Sequence, residues 1–255
     1  MDFAEDDGGL RLRLATATGG KELAARYLIA ADGPFSHVRR KLQPQVNVHA
    51  PGGGINYYIA GTGDLDPNTL YMIHNKDFAP LMFAWIYRKD DLWVVGTGAE
   101  RTPAAYAERF LRFVQESYRL QGEIVRREGF ASPLDNGVFL GQGRVLLAGD
   151  AAGLIDLYRG MGMDNAALSG RLAVRALCMA EELGEEALAA YRRLARGMTR
   201  TLERNARRRA ALYASNETLG KQVSISGLVR GGLRLLPAMA LNRFVPPERV
   251  RPLPM

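Results

Sequence analysis

The stretch Arg144-Val-Leu-Leu-Ala-Gly149-Asp150-Ala-Ala-Gly153 decides the fold of this 255-residue chain. Its apolar run at 145–148 predicts a buried strand, which ends in a Gly-Asp pair. A small-residue turn follows, and then a helix that we expect to start near Gly160. A carboxylate at a strand end can hold a polyol hydroxyl, and the helix N-terminus beyond it can face an anion or an electron-rich carbonyl. A Gly-Asp pair after a strand is common, however, so the assignment of a cofactor site depends on the residues around it.

The residues after this strand form a longer motif, Gly149-Asp150-Ala151-Ala-Gly153-Leu-Ile-Asp-Leu-Tyr-Arg-Gly160-Met-Gly162-Met163-Asp-Asn-Ala-Ala-Leu-Ser-Gly170. Without gaps, it resembles the second FAD fingerprint of the geranylgeranyl reductase family, which is related to the aromatic hydroxylases. The family pattern is about G-D-A-A-G, then P-x-x-G-E-G-I, then A-x-x-S-G. The resemblance implies that Asp150 bonds the ribityl chain of FAD and that the backbone at Gly162 and Met163 faces the isoalloxazine ring. It also implies that Gly149, Ala151 and Gly160 belong to the same cofactor site. Leu157 and Met161 replace the Pro and Glu of the family.

A second block, Tyr27-Leu-Ile-Ala-Ala-Asp32-Gly33-Pro-Phe-Ser-His-Val-Arg39-Arg40, predicts a strand, an Asp-Gly turn and the start of a helix. By itself it is explained by turn geometry alone. Together with the first block, it resembles the A-D-G-x-x-S-x-V-R motif of the same family. The resemblance implies that Asp32, Gly33 and Arg39 lie around the dinucleotide bridge of FAD.

A third block, Phe83-Ala-Trp85-Ile-Tyr87, is followed eight residues later by Gly96-Thr-Gly98. Alternation along a strand puts the three aromatic side chains on one face of a sheet. Such a row is most often buried in the protein's own core. The block also resembles the Y-x-W-x-F-P…G-x-G signature of the reductases, with Arg88 in place of Pro. The resemblance implies that Phe83, Trp85 and Tyr87 line a pocket for a long apolar chain.

The order of these blocks predicts a mixed α/β (α+β) fold: a partial FAD/NAD(P)-binding Rossmann-like domain, an antiparallel-sheet substrate domain and C-terminal helices. We expect a remnant of the FAD-binding domain at 1–42, with 10–14 as the first strand of a hairpin, and the remaining FAD-binding part at 136–185. The substrate domain at 43–135 should contain turns at 51–54 and 61–67 and one helix at 103–119. One helix should run from about 162 to 183, and the basic helical region at 186–255 should begin with a second helix at 186–214.

No G-x-G-x-x-G segment between a strand and a helix precedes the Asp-Gly turn. Members of the resembled family begin with such a segment, which binds the ADP half of FAD. We therefore expect a chain that is truncated at its N-terminus, whether through a mis-called gene start, as a fragment or as half of a split protein. On this expectation, the chain alone would be unstable or a poor FAD binder, and a partner chain could supply the missing segment.

Composition excludes several classes of site. The single cysteine, Cys178, excludes a disulfide framework, and we expect it to be packed on an apolar helix face. Three histidines without ligand spacing predict no metal site. The sequence has neither a secretory segment nor a long apolar run, so we expect a cytoplasmic protein.

Positive charge is concentrated at 191–255, which holds 14 Lys and Arg against 3 Asp and Glu. Arginines at helical spacing flank an apolar stripe of Leu188, Tyr191, Leu194, Met198, Leu202 and Ala206. Such a region could rest on an anionic inner-membrane surface, as could the apolar, arginine-containing segment 228–241. It could equally be an outer helix packed on the body. Nucleic-acid binding is not expected, because aromatic residues do not alternate with the arginines.

The resemblance implies an FAD-dependent oxidoreductase, in which reduced flavin delivers a hydride to a C=C bond of an isoprenoid or lipid substrate. NAD(P)H or a ferredoxin-like protein would supply the electrons, and the sequence identifies neither a proton donor nor a side-chain catalyst. One alternative is an FAD-dependent monooxygenase or halogenase. Its usual G-D-A-A-H and double-proline motifs are absent here. The other is a non-catalytic truncated chain that docks on a partner.

Overall fold

The computed structural model describes residues 2–6, 8–17, 19–45, 53–99, 102–131 and 137–223. Its strands are β1 Asp2–Asp6, β2 Gly9–Thr16, β3 Gly19–Ala25, β4 Leu28–Ala30, β5 Gly53–Thr62, β6 Tyr71–Ile73, β7 Ala84–Lys89, β8 Leu92–Ala99, β9 Gln121–Ala131, β10 Gly141–Gln142 and β11 Val145–Leu147. Its helices are α1 His37–Leu42, α2 Pro103–Ser117, α3 Met163–Leu183, α4 Ala187–Leu212 and α5 Asn216–Val223, with a 3₁₀ turn at Gly149–Ala152.

Strands β4 and β11 lie side by side in parallel, with Leu28 opposite Val145 and Ala30 opposite Leu147. Both strands were predicted from their apolar runs. All three residues of β11 are fully buried, in a core to which helices α3 and α4 and the β1–β3 sheet contribute. Because parallel strands end at the same edge of a sheet, the Asp-Gly turn after β4 and the Gly-Asp turn after β11 are brought together. This edge carries Asp32 and Gly33 of one predicted cofactor motif and Gly149 and Asp150 of the other.

A separate antiparallel sheet contains β1, β2 and β3 in that order. The hairpin predicted to begin at 10–14 is formed by β2 and β3, but its first strand is the second of the chain. The sequence prediction missed β1, whose alternation is obscured by acidic residues. Phe3, Leu10 and Leu12 nevertheless pack into the core of the β4–β11 unit, so this small sheet covers that core.

The larger sheet is antiparallel, with the strand order β6-β7-β8-β5-β9. Side chains of one face, including Ile55, Ile86 and Val95, are buried against Phe110 and Val114 of α2. The turn predicted at 51–54 is wrong where the structure describes it, because Gly53 and Gly54 belong to β5. The turn predicted at 61–67 lies in the connection between β5 and β6, except for Gly61 and Thr62, which end β5. These glycines allow close approach between strands. A Cβ on Gly61 would lie 2.0 Å from the carbonyl oxygen of Gln121.

The C-terminal helices pack against β11. Leu188, Tyr191 and Leu202 of the predicted stripe are buried, and the Tyr191 hydroxyl donates to the Leu147 carbonyl at 2.9 Å. Helix α4 ends at Leu212, slightly before the predicted 214, and α5 was not predicted. Cys178 is exposed, so the prediction that it is packed on an apolar face was wrong.

Residues 132–136 and 224–255, with the apolar basic segment at 228–241, lie outside the described residues. No helix within the described part of the chain is both long and apolar enough to cross a membrane.

Candidate functional site

Asp32 lies at the open edge beside the start of α1. One oxygen of its exposed carboxylate, Oδ2, accepts hydrogen bonds from the backbone amides of His37 at 2.8 Å and Val38 at 3.3 Å. Gly33 adopts a φ of 78°, which allows the chain to turn here. The Asp-Gly turn is therefore held by its own helix, and its backbone remains at the edge where the resemblance places the dinucleotide bridge.

Arg39 lies beneath this edge. Its side chain is buried, its Nη2 donates to the carbonyl of Gly137 at 3.0 Å, and its guanidinium lies 5.8 Å from the ring centre of Phe139. A Cβ on Gly153 would lie 2.9 Å from Arg39 Nη1. Burial lowers the pKa of Arg39. In this position, Arg39 supports the backbone on which the turn after β11 rests.

The turn after β11 depends on Gly149, which has a φ of 59°. Its amide donates to the buried Oγ of Ser169 at 2.9 Å, and that hydroxyl donates to the carbonyl of Ala166 at 3.0 Å. A Cβ on Gly149 would lie 3.2 Å from the Cβ of Ala166. Glycine is needed here both for the left-handed backbone and for close contact with α3. Ala151, also predicted at the cofactor site, is buried under the turn.

The carboxylate of Asp150 is half-buried, and burial raises its pKa above the ordinary aspartate value. It accepts no hydrogen bond and forms no ion pair with the residues that the structure describes. A Cβ on Gly162 would lie 3.6 Å from Asp150 Oδ1, so the carboxylate faces the start of α3. A partly desolvated carboxylate with unused acceptor capacity is suited to bind a ligand hydroxyl.

Helix α3 begins at Met163, and its N-cap, Gly162, provides no side-chain hydrogen bond. The predicted helix of about 162 to 183 is confirmed, and its start lies three residues after Gly160. Gly160 has a φ of 66° and precedes a bridge residue, Met161, so it lies outside the helix. The first amides of α3 have no carbonyl acceptor within the helix, and Met163 is 88% exposed. The N-terminus of α3 therefore presents backbone N–H donors beside Asp150.

A hairpin at 156–161 joins the Gly-Asp turn to α3, and it contains the main feature that sequence reasoning missed. The backbones of Asp156 and Met161 exchange two hydrogen bonds, at 2.8 and 3.0 Å. The buried Asp156 carboxylate also accepts hydrogen bonds from Arg159 Nε at 2.6 Å and Asn205 Nδ2 at 2.8 Å. Asn165, also missed, donates to the carbonyl of Leu154 at 2.9 Å. A lone Asp in a loop gives no signal of this kind, because its partner Asn205 is distant in sequence.

A cavity of about 750 Å³ lies between this hairpin and the open face of the larger sheet. Phe83, Trp85 and Tyr87 all line it, as their alternation predicts for a shared face. From the opposite side it is lined by Ile155, Leu157, Gly160 and Met163. The structure thus brings the predicted substrate residues and the predicted flavin-facing residues to one space.

The aromatic row is arranged around Gly96, which lies between Asn56 and Trp85 in the sheet. Trp85 Nε1 donates to Asn56 Oδ1 at 2.8 Å across this glycine. A Cβ on Gly96 would lie 2.2 Å from Asn56 Oδ1 and 2.3 Å from Trp85 Nε1. The first glycine of the Gly96-Thr-Gly98 block therefore makes space for the indole, whereas Thr97 points away and donates to the carbonyl of Phe78 at 2.7 Å.

These residues fit FAD. The unpartnered Asp150 carboxylate suits a ribityl hydroxyl, and the uncapped start of α3 suits an electron-rich ring carbonyl. Gly160 and Gly162 leave the backbone accessible beside them. Within the described residues, no cluster of His, Cys, Asp and Glu is arranged to hold a metal ion.

Comparison with known proteins agrees with this assignment. A family model described as an FAD binding domain matches residues 2–206. Digeranylgeranylglycerophospholipid reductase 3 of Methanosphaera stadtmanae is 29% identical over 183 residues, which are 67% of this chain and 45% of that protein. The chloroplastic geranylgeranyl diphosphate reductase of Nicotiana tabacum is 29% identical over 177 residues, which are 65% of this chain and 36% of that protein. The chain thus spans less than half the length of these two relatives.

Solved structures share the fold. A geranylgeranyl bacteriochlorophyll reductase-like protein from Thermoplasma acidophilum superposes with a TM-score of 0.76 at 20% identity, covering 95% of this chain and 68% of that one. The flavin-dependent halogenase CmlS superposes with a TM-score of 0.59 at 20% identity, covering 80% and 40% of the two chains. The predicted fold class, the resemblance to the geranylgeranyl reductases and the FAD cofactor are confirmed.

Proposed function

This chain belongs to the FAD-binding-domain family, and we propose that it acts in an FAD-dependent oxidoreductase that reduces C=C bonds of a long apolar isoprenoid or lipid. The observation that carries the proposal is the shared cavity. One wall presents an aromatic row, and the other presents the hairpin and helix start that fit the flavin. The names of the curated relatives support the same substrate class.

Each residue of the site has a distinct role in this proposal. The Asp150 carboxylate accepts a hydrogen bond from a hydroxyl of the ribityl chain, and the backbone at Gly162 and Met163 faces the ring. When bound, FAD supplies the hydride chemistry. Phe83, Trp85 and Tyr87 hold the apolar chain and exclude water from the reacting carbon atoms.

The cavity walls favour an apolar substrate over a polar one. The indole N–H of Trp85 donates to Asn56, so Trp85 presents the cavity with a ring surface and no unpaired donor. Phe130 stacks on Trp85 with a centre-to-centre distance of 6.4 Å and extends that surface. Aromatic and aliphatic walls of this kind gain free energy by removing apolar surface from water.

Titration with FAD provides the first test. Quenching of flavin fluorescence at one equivalent of wild-type protein would show that this chain holds FAD by itself, contrary to the expectation from its sequence that it is a poor binder. Asp150→Asn should bind FAD at least about tenfold more weakly than the wild type, because a charged acceptor for the ribityl hydroxyl is replaced by a neutral amide. Asp90→Asn, on the turn between β7 and β8, is the matched control. Equal affinities of all three proteins would contradict the assignment of Asp150.

The reaction itself is tested in the absence of oxygen. Protein with reduced FAD is mixed with geranylgeranyl diphosphate, and flavin reoxidation is followed together with the mass of the product. A gain of two hydrogens per reoxidised flavin supports the proposal, and Trp85→Ala should raise the substrate concentration needed for half-maximal rate. A product that forms only with oxygen, and contains it, would instead support the monooxygenase class.

A further inference from the structure

One face of α4 contacts both walls of the cavity. Asn205, Arg209 and Tyr213 lie at intervals of four residues, the last at the C-cap of the helix, and therefore share a face. Asn205 reaches the hairpin, whereas Arg209 and Tyr213 reach the segment that leads into β7. The contacts made by this face are polar, although most of the core contacts of α4 are apolar.

The contact to the hairpin goes through Asp156. Two of its hydrogen bonds come from the amides of Tyr158 and Arg159, at 3.1 and 3.2 Å, and they close the turn locally. A third comes from the Arg159 side chain, which also pairs with Asp164 at 2.9 Å in the first turn of α3. The bond from Asn205 is different, since it crosses 49 positions in the sequence. It ties the hairpin to α4.

The contacts to the sheet wall follow one and two turns later along α4. Arg209 Nη1 donates to the carbonyl of Leu81 at 3.2 Å, and the Tyr213 hydroxyl lies 2.8 Å from His74 Nδ1. The His74 ring in turn packs edge-on against Phe83, with centres 5.8 Å apart. Leu81 and Phe83 both line the cavity. Helix α4 thereby supports Phe83, the first aromatic residue of the row, through His74.

The two walls also meet directly at Gly160. A Cβ on this residue would lie 2.5 Å from Met82 Cε and 2.8 Å from Phe83 Cζ. Any displacement of the hairpin away from α4 would therefore change the separation between the flavin-facing backbone and the aromatic row. Because packed interiors transmit such shifts, the Asn205 bond is placed where it can fix this separation.

We propose that Asn205 and Tyr213 are positioning residues, through which α4 fixes the spacing between the 156–161 hairpin and the aromatic row. This proposal rests on the proposed function for its catalytic consequence but not for its structural one. Two kinds of measurement therefore test it separately. The variants are Asn205→Ala and Tyr213→Phe, and the control is Arg208→Ala at an exposed position of the same helix.

The structural test uses the protein without FAD and follows hydrogen exchange of the hairpin amides. In Asn205→Ala, the amide of Met161, which donates to the Asp156 carbonyl, should exchange at least about tenfold faster than in the wild type. Arg208→Ala should leave this rate unchanged. If exchange in Asn205→Ala equals that of the control, α4 does not hold the hairpin and the proposal is overturned.

The catalytic test uses the FAD-loaded protein. Asn205→Ala and Tyr213→Phe should slow flavin reoxidation at saturating geranylgeranyl diphosphate by about tenfold or more, with half-saturation changed less than about twofold, because positioning affects the rate more than binding. Wild-type rates in both variants would overturn the proposal. Tyr213→Phe removes a single oxygen atom, so it keeps the test decisive if Asn205→Ala does not fold.

A failure of the proposed function gives a different pattern. In that case, the wild-type protein itself is not reoxidised by the isoprenoid. The visible circular dichroism of bound FAD then reports the geometry at the hairpin. A changed spectrum in Asn205→Ala but not in Arg208→Ala supports the positioning role, and identical spectra overturn it.

Discussion

Replacement of Gly96 by alanine should disrupt the aromatic wall of the cavity. The new Cβ would lie 2.2 Å from Asn56 Oδ1 and 2.3 Å from Trp85 Nε1, well inside contact distance. Both atoms belong to the 2.8 Å hydrogen bond that crosses this glycine. The variant must therefore break that bond and rotate the indole, the amide or both.

The expected cost follows from three terms. Loss of the hydrogen bond costs about 1 kcal/mol. Crowding in a packed sheet costs about 1–3 kcal/mol. Replacing a strand glycine by alanine returns about 0.5–1 kcal/mol. The sum is a destabilisation of about 2 kcal/mol, which lowers the midpoint of thermal unfolding by about 4–8 °C in a chain of this size.

The assay combines thermal unfolding with tryptophan fluorescence. Gly96→Ala should change the emission of Trp85. Trp93, on the opposite face and buried near α2, should keep its emission, so a change in total tryptophan fluorescence reports Trp85. Gly129→Ala is the control, since its Cβ would meet its nearest neighbour at an ordinary 3.8 Å. A double-mutant cycle with Asn56→Ala should show positive coupling, because removal of the amide relieves half of the clash.

The reasoning is refuted if Gly96→Ala unfolds at the wild-type temperature with unchanged emission. It is also refuted if Gly96→Ala and Gly129→Ala lose equal stability. In either case, the space over Gly96 would not be what allows Trp85 to reach Asn56.

Three further predictions concern titration and the Gly-Asp turn. Because burial raises the pKa of Asp150, the folded protein without FAD should lose stability as pH rises through the carboxyl range. Denaturation curves from about pH 4 to about pH 7 should show this loss in the wild type but not in Asp150→Asn. Parallel pH profiles of the two proteins would contradict this prediction. Because burial lowers the pKa of His74, the stability that its neutral ring contributes should be present above the ordinary histidine range and be lost as pH falls through the lowered pKa. An NMR titration midpoint at or above the ordinary histidine value would show that the side chain is not desolvated. Ser169→Ala leaves the buried amide of Gly149 without its acceptor and should cost about 1–3 kcal/mol in chemical denaturation, against less than about 0.5 kcal/mol for Thr199→Ala, an exposed hydroxyl on α4; equal losses would refute the assigned role.

Much of the fold could be predicted because it is encoded locally. Apolar runs ending in Asp-Gly and Gly-Asp gave β4 and β11, and a proline at the first helical position gave α2. The aromatic row was found from its period of two alone. Errors occurred where glycine has more than one use. At Gly54 and Gly61, it allows strands and rings to approach closely, and the same residue type predicts a turn when only neighbours in sequence are considered.

The candidate site was predicted in its parts but not in its assembly. The positions of Asp150, Gly162 and Met163 could be inferred from the motif they share. The structure added Asp156, whose importance depends on Asn205, and it moved Arg39 from the open edge to a buried support. Neither result has a local signal, since a polar residue in a loop or on a helix is ordinarily exposed to water.

The sequence by itself determined the two strands that end in Asp-Gly and Gly-Asp, the helix that begins at Pro103 and the aromatic row, because each depends on residues only a few positions apart. The tertiary structure decided which of these parts share a cavity and what sets their spacing. Its deciding contacts join Asn56 to Trp85 over 29 positions, Asp156 to Asn205 over 49 and Leu81 to Arg209 over 128. Such pairs meet only when the whole chain has buried its two cores, so their geometry is a property of the packed molecule.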